Sequence, residues 1–272
     1  MLWNDLAGAT VLDLAQPMQT GMPQSPNHPP FRMLLERRHG DMVRADGGSA
    51  SNEIIITGGH VGTHVDALAH VSQDGLVHGG SPAVADHRGF AEGGIDSFTP
   101  YVGRGVLLDV AAVHGVPVLP AGYEITVDDL ERAASGLTIN PGDVVLIGTG
   151  WSRHWHEPEK FIGARDGVPG PGAAAGKWLA GLGVRAAGGE TIAFEHLAPG
   201  KGHALLPVHR ILLVESGINI IETMRLLPLL ESGAREFLLV LNPLPIVGAT
   251  GAPVRPLAVL PATAAENAGV SR

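Results

Sequence analysis

The chain has 272 residues, 44% of them hydrophobic and 17% charged, and a formal charge of −9 at pH 7. That composition fits a globular protein with a sizeable core and, with no linker-like stretch, one domain over residues 1–272. Scattered Lys and Arg in an acidic chain argue against a nucleic-acid footprint; the absence of cysteine excludes disulfides and thiolate ligands, so any metal has to be held by His, Asp or Glu.

With 38 Gly and 21 Pro the chain is rich in turns. Residues 10–14 alternate apolar and polar as a first strand, and residues 21–30 form a proline-rich loop carrying Ser25 and His28. A lone histidine in such a loop is most often solvated. Residues 31–36 and 53–57 read as strands, Glu36-Arg37-Arg38 is a solvated face, and Gly58-Gly59 permits an unusual backbone path.

The chain then places three histidines and a carboxylate in one run, His60-Val61-Gly62-Thr63-His64-Val65-Asp66-Ala67-Leu68-Ala69-His70. Read as a strand, His60, Gly62, His64 and Asp66 share a face; read as a helix, Asp66 falls well round the cylinder from His60 and His64. The strand brings the candidate ligands together. Residues 67–71 favour helix, with Asp66 as N-cap and His70 one turn along, near the same point. Neutral imidazoles with a carboxylate suit Zn²⁺, Mn²⁺ or Fe²⁺, and three protein ligands leave a position for water. Any one of these histidines alone reads as a satisfied core residue; their number and spacing together reverse that preference.

Residues 72–80 are turn-rich and offer His78 as a pocket-lining or an exposed side chain. Residues 105–110 and 143–149 are apolar strands, and Thr126-Val127-Asp128-Asp129 opens a helix with a capping-box-like start. Gly148-Thr149-Gly150-Trp151 ends the second strand; Trp151 and Trp155 are candidates for a pocket wall, with His154 and His156 as loop residues. Residues 163–172 read as a loop at a pocket mouth, residues 173–182 as a helix and residues 189–195, with Glu190, as a strand. Residues 207–215 fit a helix with Pro207 in its first turn and Gly217 past its end, in which packing does not explain His209. Glu222 follows the apolar Ile218-Asn219-Ile220-Ile221. Residues 237–241 and 251–259 are closing strands and 261–272 a frayed tail. The apolar runs are too short to cross a bilayer and no basic leader surrounds Asp5, so the expected setting is soluble and cytoplasmic, with no membrane partner.

The run from His60 to His70 resembles the H-x-G-T-H-x-D-x-x-x-H signature of the "putative cyclase" family of metal-dependent hydrolases, which includes bacterial kynurenine formamidase and isatin hydrolase. The likeness extends to Thr149-Gly150-Trp151, to His209 through Glu222, and to the C-terminal strands. It implies an α/β fold with mixed sheets around a barrel-like centre, of the swivelling β/β/α type. It also implies one metal on His60, His64 and Asp66, a second where present on Asp66, His209 and Glu222, and His70 as the acid-base residue. Zn or Mn, a small-molecule substrate, and a homodimer or homotetramer follow from the same resemblance. Substrate contacts would fall to Trp151, His78 and Ser25; Ser25 stands where bacterial kynurenine formamidases commonly carry tryptophan, so the usual aryl contact is missing. Many relatives have Asp at the position of Glu190.

The expected chemistry is hydrolysis of a C–N bond in a small amide, formamide, or cyclic amide or imide. A metal lowers the pKa of bound water to about 7 in favourable zinc sites, and His70 would take the proton and return it to the leaving nitrogen. Two other readings stand beside this one. The same metal would serve a biosynthetic cyclase or dehydratase, and a fully closed ligand set would make a non-catalytic, metal-stabilised small-molecule-binding protein. His70, spare to a closed set, argues against the latter.

Overall fold

The computed structural model describes residue 6 and residues 8–262, so the tail expected from 261 onward lies almost wholly outside the described residues. In chain order the strands are β1 (Thr10–Asp13), β2 (Arg32–Arg37), β3 (Asn52–Ile56), β4 (His64–Asp66), β5 (Ala85–Asp86), β6 (Gly89–Phe90), β7 (Tyr101–Asp109) and β8 (Glu124–Ile125). There follow β9 (Val144–Gly148), β10 (Gly170–Pro171), β11 (Ala186–Gly189), β12 (Asn219–Glu222), β13 (Glu236–Leu241), β14 (Gly251–Pro253) and β15 (Leu257–Leu260). One mixed sheet takes nine of these in the order β1-β15-β13-β7-β9-β11-β12-β4-β14. Its centre, β7, β9, β11 and β12, is parallel, and antiparallel strands extend it on both sides.

The parallel centre is where the sequence is apolar without interruption, as in Val144-Val145-Leu146-Ile147, because both faces are covered. Val106, Leu108, Val145, Ile147 and Ile220 pack into a core with the helices Val127–Ala133 and Ala173–Gly181 and with Val208 and Leu212. Their neighbours Leu107, Val144, Leu146 and Ile221 point the other way, into a second core closed by Val65, Leu239, Ala252 and Leu260 from the outer strands. A sheet that supplies both walls of a core has to curl on itself, and the result is a half-barrel with helices outside. This is the mixed α/β, cyclase-like architecture expected from the resemblance. Each fully buried Leu or Ile contributes about 1.5–3 kcal/mol, so the two cores, more than the propensities of such short strands, hold the sheet together.

Several expected strands, at 10–14, 31–36, 53–57, 143–149 and 237–241, coincide with β1, β2, β3, β9 and β13 to within a residue or two. Three other expectations are corrected. His60 lies in a turn, and β4 begins only at His64, because Gly62 takes a left-handed conformation with φ of 71° that breaks the alternation. No helix follows Asp66: the N–H groups of Ala67 and Ala69 donate to Thr250 and Gly93 carbonyls at 2.8 and 3.0 Å, which fixes the segment as a single turn closed by His70 N–H on Ala67 O. The strand expected at 189–195 stops at Gly189, and residues 190–195 turn away.

Candidate metal centre

His64 and Asp66 share one face of β4, and β12 runs antiparallel beside it with Glu222 directly opposite His64. That pairing leaves His64 Nε2 3.4 Å from both Asp66 Oδ1 and Glu222 Oε2. His209 comes in from the helix Pro207–His209, its Nε2 3.5 Å from Asp66 Oδ2 and 3.1 Å from Glu222 Oε1. From its turn His60 sets Nδ1 2.7 Å from Asp66 Oδ1, and the His70 ring stacks on His60 with centroids 3.9 Å apart. Two trios have potential ligand atoms within 4.8 Å of one another: His60, His64 and Asp66, and Asp66, His70 and His209.

Within this cluster His64 Nε2, Asp66 Oδ2 and Glu222 Oε1 are buried with no hydrogen-bond partner. Such atoms cost about 1–3 kcal/mol each when left unpaired. A cation held between them satisfies all three, and imidazole with carboxylate donors suits Zn²⁺ or Mn²⁺, so the residues present fit a divalent metal.

The far side of each ligand is also fixed. His64 Nδ1–H donates to the Gly62 carbonyl at 2.8 Å, and His209 Nδ1–H donates to Glu195 Oε1 at 2.7 Å, so each Nε2 is turned toward the carboxylates. Glu195 also accepts from the backbone N–H groups of Val208 and His209, at 3.0 and 2.8 Å. Leu206 offers the helix no side-chain cap, so a single distant carboxylate both starts the helix and aims its histidine. The expected helix over 207–215 has the right bounds but widens into π turns over Arg210–Glu215, immediately after His209. Such widened turns recur at functional sites. On the other side of the cluster, His60 Nε2 meets Thr250 Oγ1 at 2.9 Å, and Asn219 Nδ2 donates to the Asp66 carbonyl at 2.7 Å.

Burial opposes charge on His64, but the Asp66 and Glu222 carboxylates, each 3.4 Å from Nε2, overcome it and raise the imidazole to about 10. His209 is likewise raised against burial by Asp66, Glu195 and Glu222. Asp66 is held well below the carboxylate range against burial, first by His70 and then by the surrounding His209, His60 and His64 imidazoles. Two buried carboxylates thus draw positive charge to one point. His70 goes the other way: burial, helped by His60 and His209 and opposed by Asp66, lowers it to about 4, so it is neutral at pH 7.

The remaining candidates are spread around this centre. Trp151 is buried, donates from its indole N–H to the Phe161 carbonyl at 3.0 Å, and lines a cavity of about 1010 Å³ with Gln24, Pro26, His154 and the loop residues 163–167. The ligand cluster does not line this cavity. Trp151, Met22 and Val61 pack together in a third apolar cluster, which joins the cavity wall to the His60 turn. Ser25 is buried between Gln24 and Pro26, and its Oγ accepts from Asn27 N–H at 3.4 Å. His78 is exposed and donates to the Val214 carbonyl at 2.9 Å, which makes it a buttress of the π segment. His28 is half-buried and stacks on His60 at 5.1 Å, so it is not the solvated loop histidine expected.

Sequence reasoning missed Glu195, Thr250 and Asn219, and gave Glu190 no role. Glu190 is fully buried and accepts from the N–H groups of Thr149, Gly150 and Ser152 and from the hydroxyls of Thr149 and Ser152, which fastens the turn that presents Trp151. The available signal was two carboxylates, Glu190 and Glu195, close on either side of the apolar Ile192-Ala193-Phe194, a place where unpaired acids are rare.

Fold and site together define the class of cyclase-like metal-dependent hydrolases. The family model described as "Putative cyclase" matches residues 12–196, and the chain belongs to that family. The match takes in His60 through His70 and Glu195, and ends before His209 and Glu222. Among solved structures, one described as a novel cyclase is 29% identical, with TM-score 0.83, and the alignment covers 94% of this chain and 88% of that one. Isatin hydrolase A from Ralstonia solanacearum is 25% identical, with TM-score 0.72 and 95% of each chain covered. A predicted metal-dependent hydrolase from Bacillus stearothermophilus is 25% identical, with TM-score 0.60, covering 92% of this chain and 98% of that one. No curated protein matches. Among the described residues no helix is long and apolar enough to cross a membrane.

Proposed function

We propose that this chain hydrolyses a C–N bond of a small amide, formamide, or cyclic amide or imide, with one or two Zn or Mn ions on His60, His64, Asp66, His209 and Glu222. The observation that carries this reading is the trio of buried, unpartnered atoms His64 Nε2, Asp66 Oδ2 and Glu222 Oε1 with a neutral, half-buried imidazole, His70, beside them. A bound divalent ion supplies Lewis acidity for the carbonyl and for water. His70 accepts the proton that water loses as its oxygen bonds to the carbonyl carbon, then delivers that proton to the nitrogen as the C–N bond breaks. The products are a carboxylate and an amine, or from an imide a carboxylate and an amide, held in one molecule when the substrate is a ring. Stacking on His60 orients His70, and the cavity lined by Trp151, Gln24 and Pro26, joined to the His60 turn through the cluster of Trp151, Met22 and Val61, would take the body of the substrate. The similarity to isatin hydrolase A supports a cyclic amide among the substrates.

The test is turnover by chelator-stripped protein, with and without added Mn²⁺ or Zn²⁺, on N-formylkynurenine, isatin, cyclic imides and N-acyl anilines. Metal-dependent ring opening or deformylation is expected. His64→Ala should lose both metal and turnover, whereas His70→Ala should keep metal and lose about 10²–10⁴ in kcat. Unchanged turnover in His70→Ala removes it from the reaction, and full activity of stripped His64→Ala removes the metal.

A further inference from the structure

A second cavity, of about 580 Å³, lies where the ends of β1, β13 and β14 meet the start of β4, and its size is that of a small-molecule pocket. The main chain ties its walls together. Gln16 N–H donates to Thr63 Oγ1 at 2.8 Å, Thr63 Oγ1 donates to the Thr223 carbonyl at 2.7 Å, and Val254 N–H donates to the Thr63 carbonyl at 2.9 Å. Arg225 is fastened in the same way, its N–H on the Leu14 carbonyl at 2.9 Å. Met18, Leu244 and Val254 line the apolar part of the cavity, and Gln16, Asn242, Arg225, Arg255 and Asp13 the polar part. Gln16 is only 5% exposed, and its Nε2 is buried with no hydrogen-bond partner. An unpaired buried amide donor is costly, so this position calls for an acceptor. Arg255 is taken up by Asp13, through contacts of 2.9 and 2.8 Å, whereas Arg225 has no ion pair among the described residues.

We infer that this cavity binds a small organic carboxylate, at a site separate from the metal centre, none of whose ligands line it. With Asp13 neutralised by Arg255, the charge left on the wall is the single positive charge of Arg225. That charge matches a monoanion and falls short of a phosphate dianion. The donors suit a carboxylate as well: a guanidinium presents a planar fork to its two oxygens, and the NH₂ of Gln16 adds a neutral donor. Met18, Leu244 and Val254 take the apolar body of the ligand. A metal cation is not served here, since the one carboxylate on the wall is already held by Arg255. The walls nevertheless belong to the segments that hold the metal ligands: Thr63 precedes His64, and Arg225 follows closely on Glu222. An occupant therefore bears on those segments without touching the ion. The hydrolysis proposed above releases a carboxylate, so its product has a second place to bind; that consequence rests on the hydrolase reading, and the site itself does not.

The experiment is isothermal titration calorimetry of sodium benzoate into the full, chelator-stripped chain, in which no ion competes for the carboxylate. Saturable binding of one benzoate per chain is expected, and its absence overturns the inference. Arg225→Met and Gln16→Leu should each bind benzoate about 10–100-fold more weakly, the loss of a hydrogen bond to a charged group. Far-UV circular dichroism checks folding, and Arg225→Met, at an exposed position, keeps the test decisive if the buried Gln16→Leu does not fold. Unchanged affinity in Arg225→Met overturns the inference. His64→Ala should bind benzoate as the wild type does; loss of binding there would place the carboxylate at the metal centre and overturn a separate site. Benzamide, the neutral isostere, should bind at least about 10-fold more weakly than benzoate, and equal affinity would show that apolar contact alone is being read. Tighter binding of phenylphosphonate overturns the choice of a carboxylate in favour of a phosphate-like ligand. None of these readouts depends on turnover, so this result and that of the hydrolase test stand apart.

Discussion

Glu195 and Gly251 show how the ligands depend on residues that never reach the centre. Glu195→Gln keeps the shape but weakens the bond that orients His209, and metal affinity is expected to fall about 10–100-fold in competition with a fluorescent chelator. A normal affinity would mean that packing alone holds His209. A Cβ built on Gly251 lies 2.5 Å from His60 Cε1, so Gly251→Ala should drive that ring off Asp66 and cost about 1–3 kcal/mol in urea unfolding, as overpacked sites do. Sequence made His60, His64, Asp66 and His70 legible because they crowd one short run. Glu195 and Thr250 were not legible, since each serves a histidine 14 or 190 positions away that only the fold brings near.

Among the elements, the helix Val127–Ala133 was read from its cap, and the structure completes the box: Thr126 Oγ1 accepts from Asp129 N–H, and the Asp129 carboxylate accepts from Thr126 N–H. Burial pushes Asp129 up, but the Thr126 bonds, with His114 and Tyr123, outweigh it and leave the carboxyl below its ordinary value. A depressed carboxyl stabilises the fold above its unfolded pKa, about 3.9, and that contribution is lost as pH falls through the lower folded value. Asp129→Asn should therefore cost about 0.5–2 kcal/mol at pH 7, and the gap from wild type should close in denaturation curves taken below pH 3.9. An equal gap at both pH values would show that the cap acts without its charge. The π turns after His209 were not legible, because a pattern of apolar positions gives the bounds of a helix and not its pitch.

Across the whole molecule, the order of strands in the sheet was the least legible feature. The ligand segments at 60–70 and 209–222 meet because β12 inserts beside β4, a pairing that no local signal announces. Metal should accordingly stabilise the entire chain: at 100 times its Kd an ion bound only to the native state adds about 2.7 kcal/mol, so chelation should lower the melting temperature measured by calorimetry. No change on chelation would place the ion outside the folded core. The β4/β12 joint has one more consequence, for assembly errors. Since side chains alternate, a slip of one residue would present Ile221 to His64 in place of Glu222, with backbone pairing and most of the secondary structure intact. Metal uptake is thus a proofreading signal for the joint: misthreaded chains would keep much of their backbone pairing and stay metal-free.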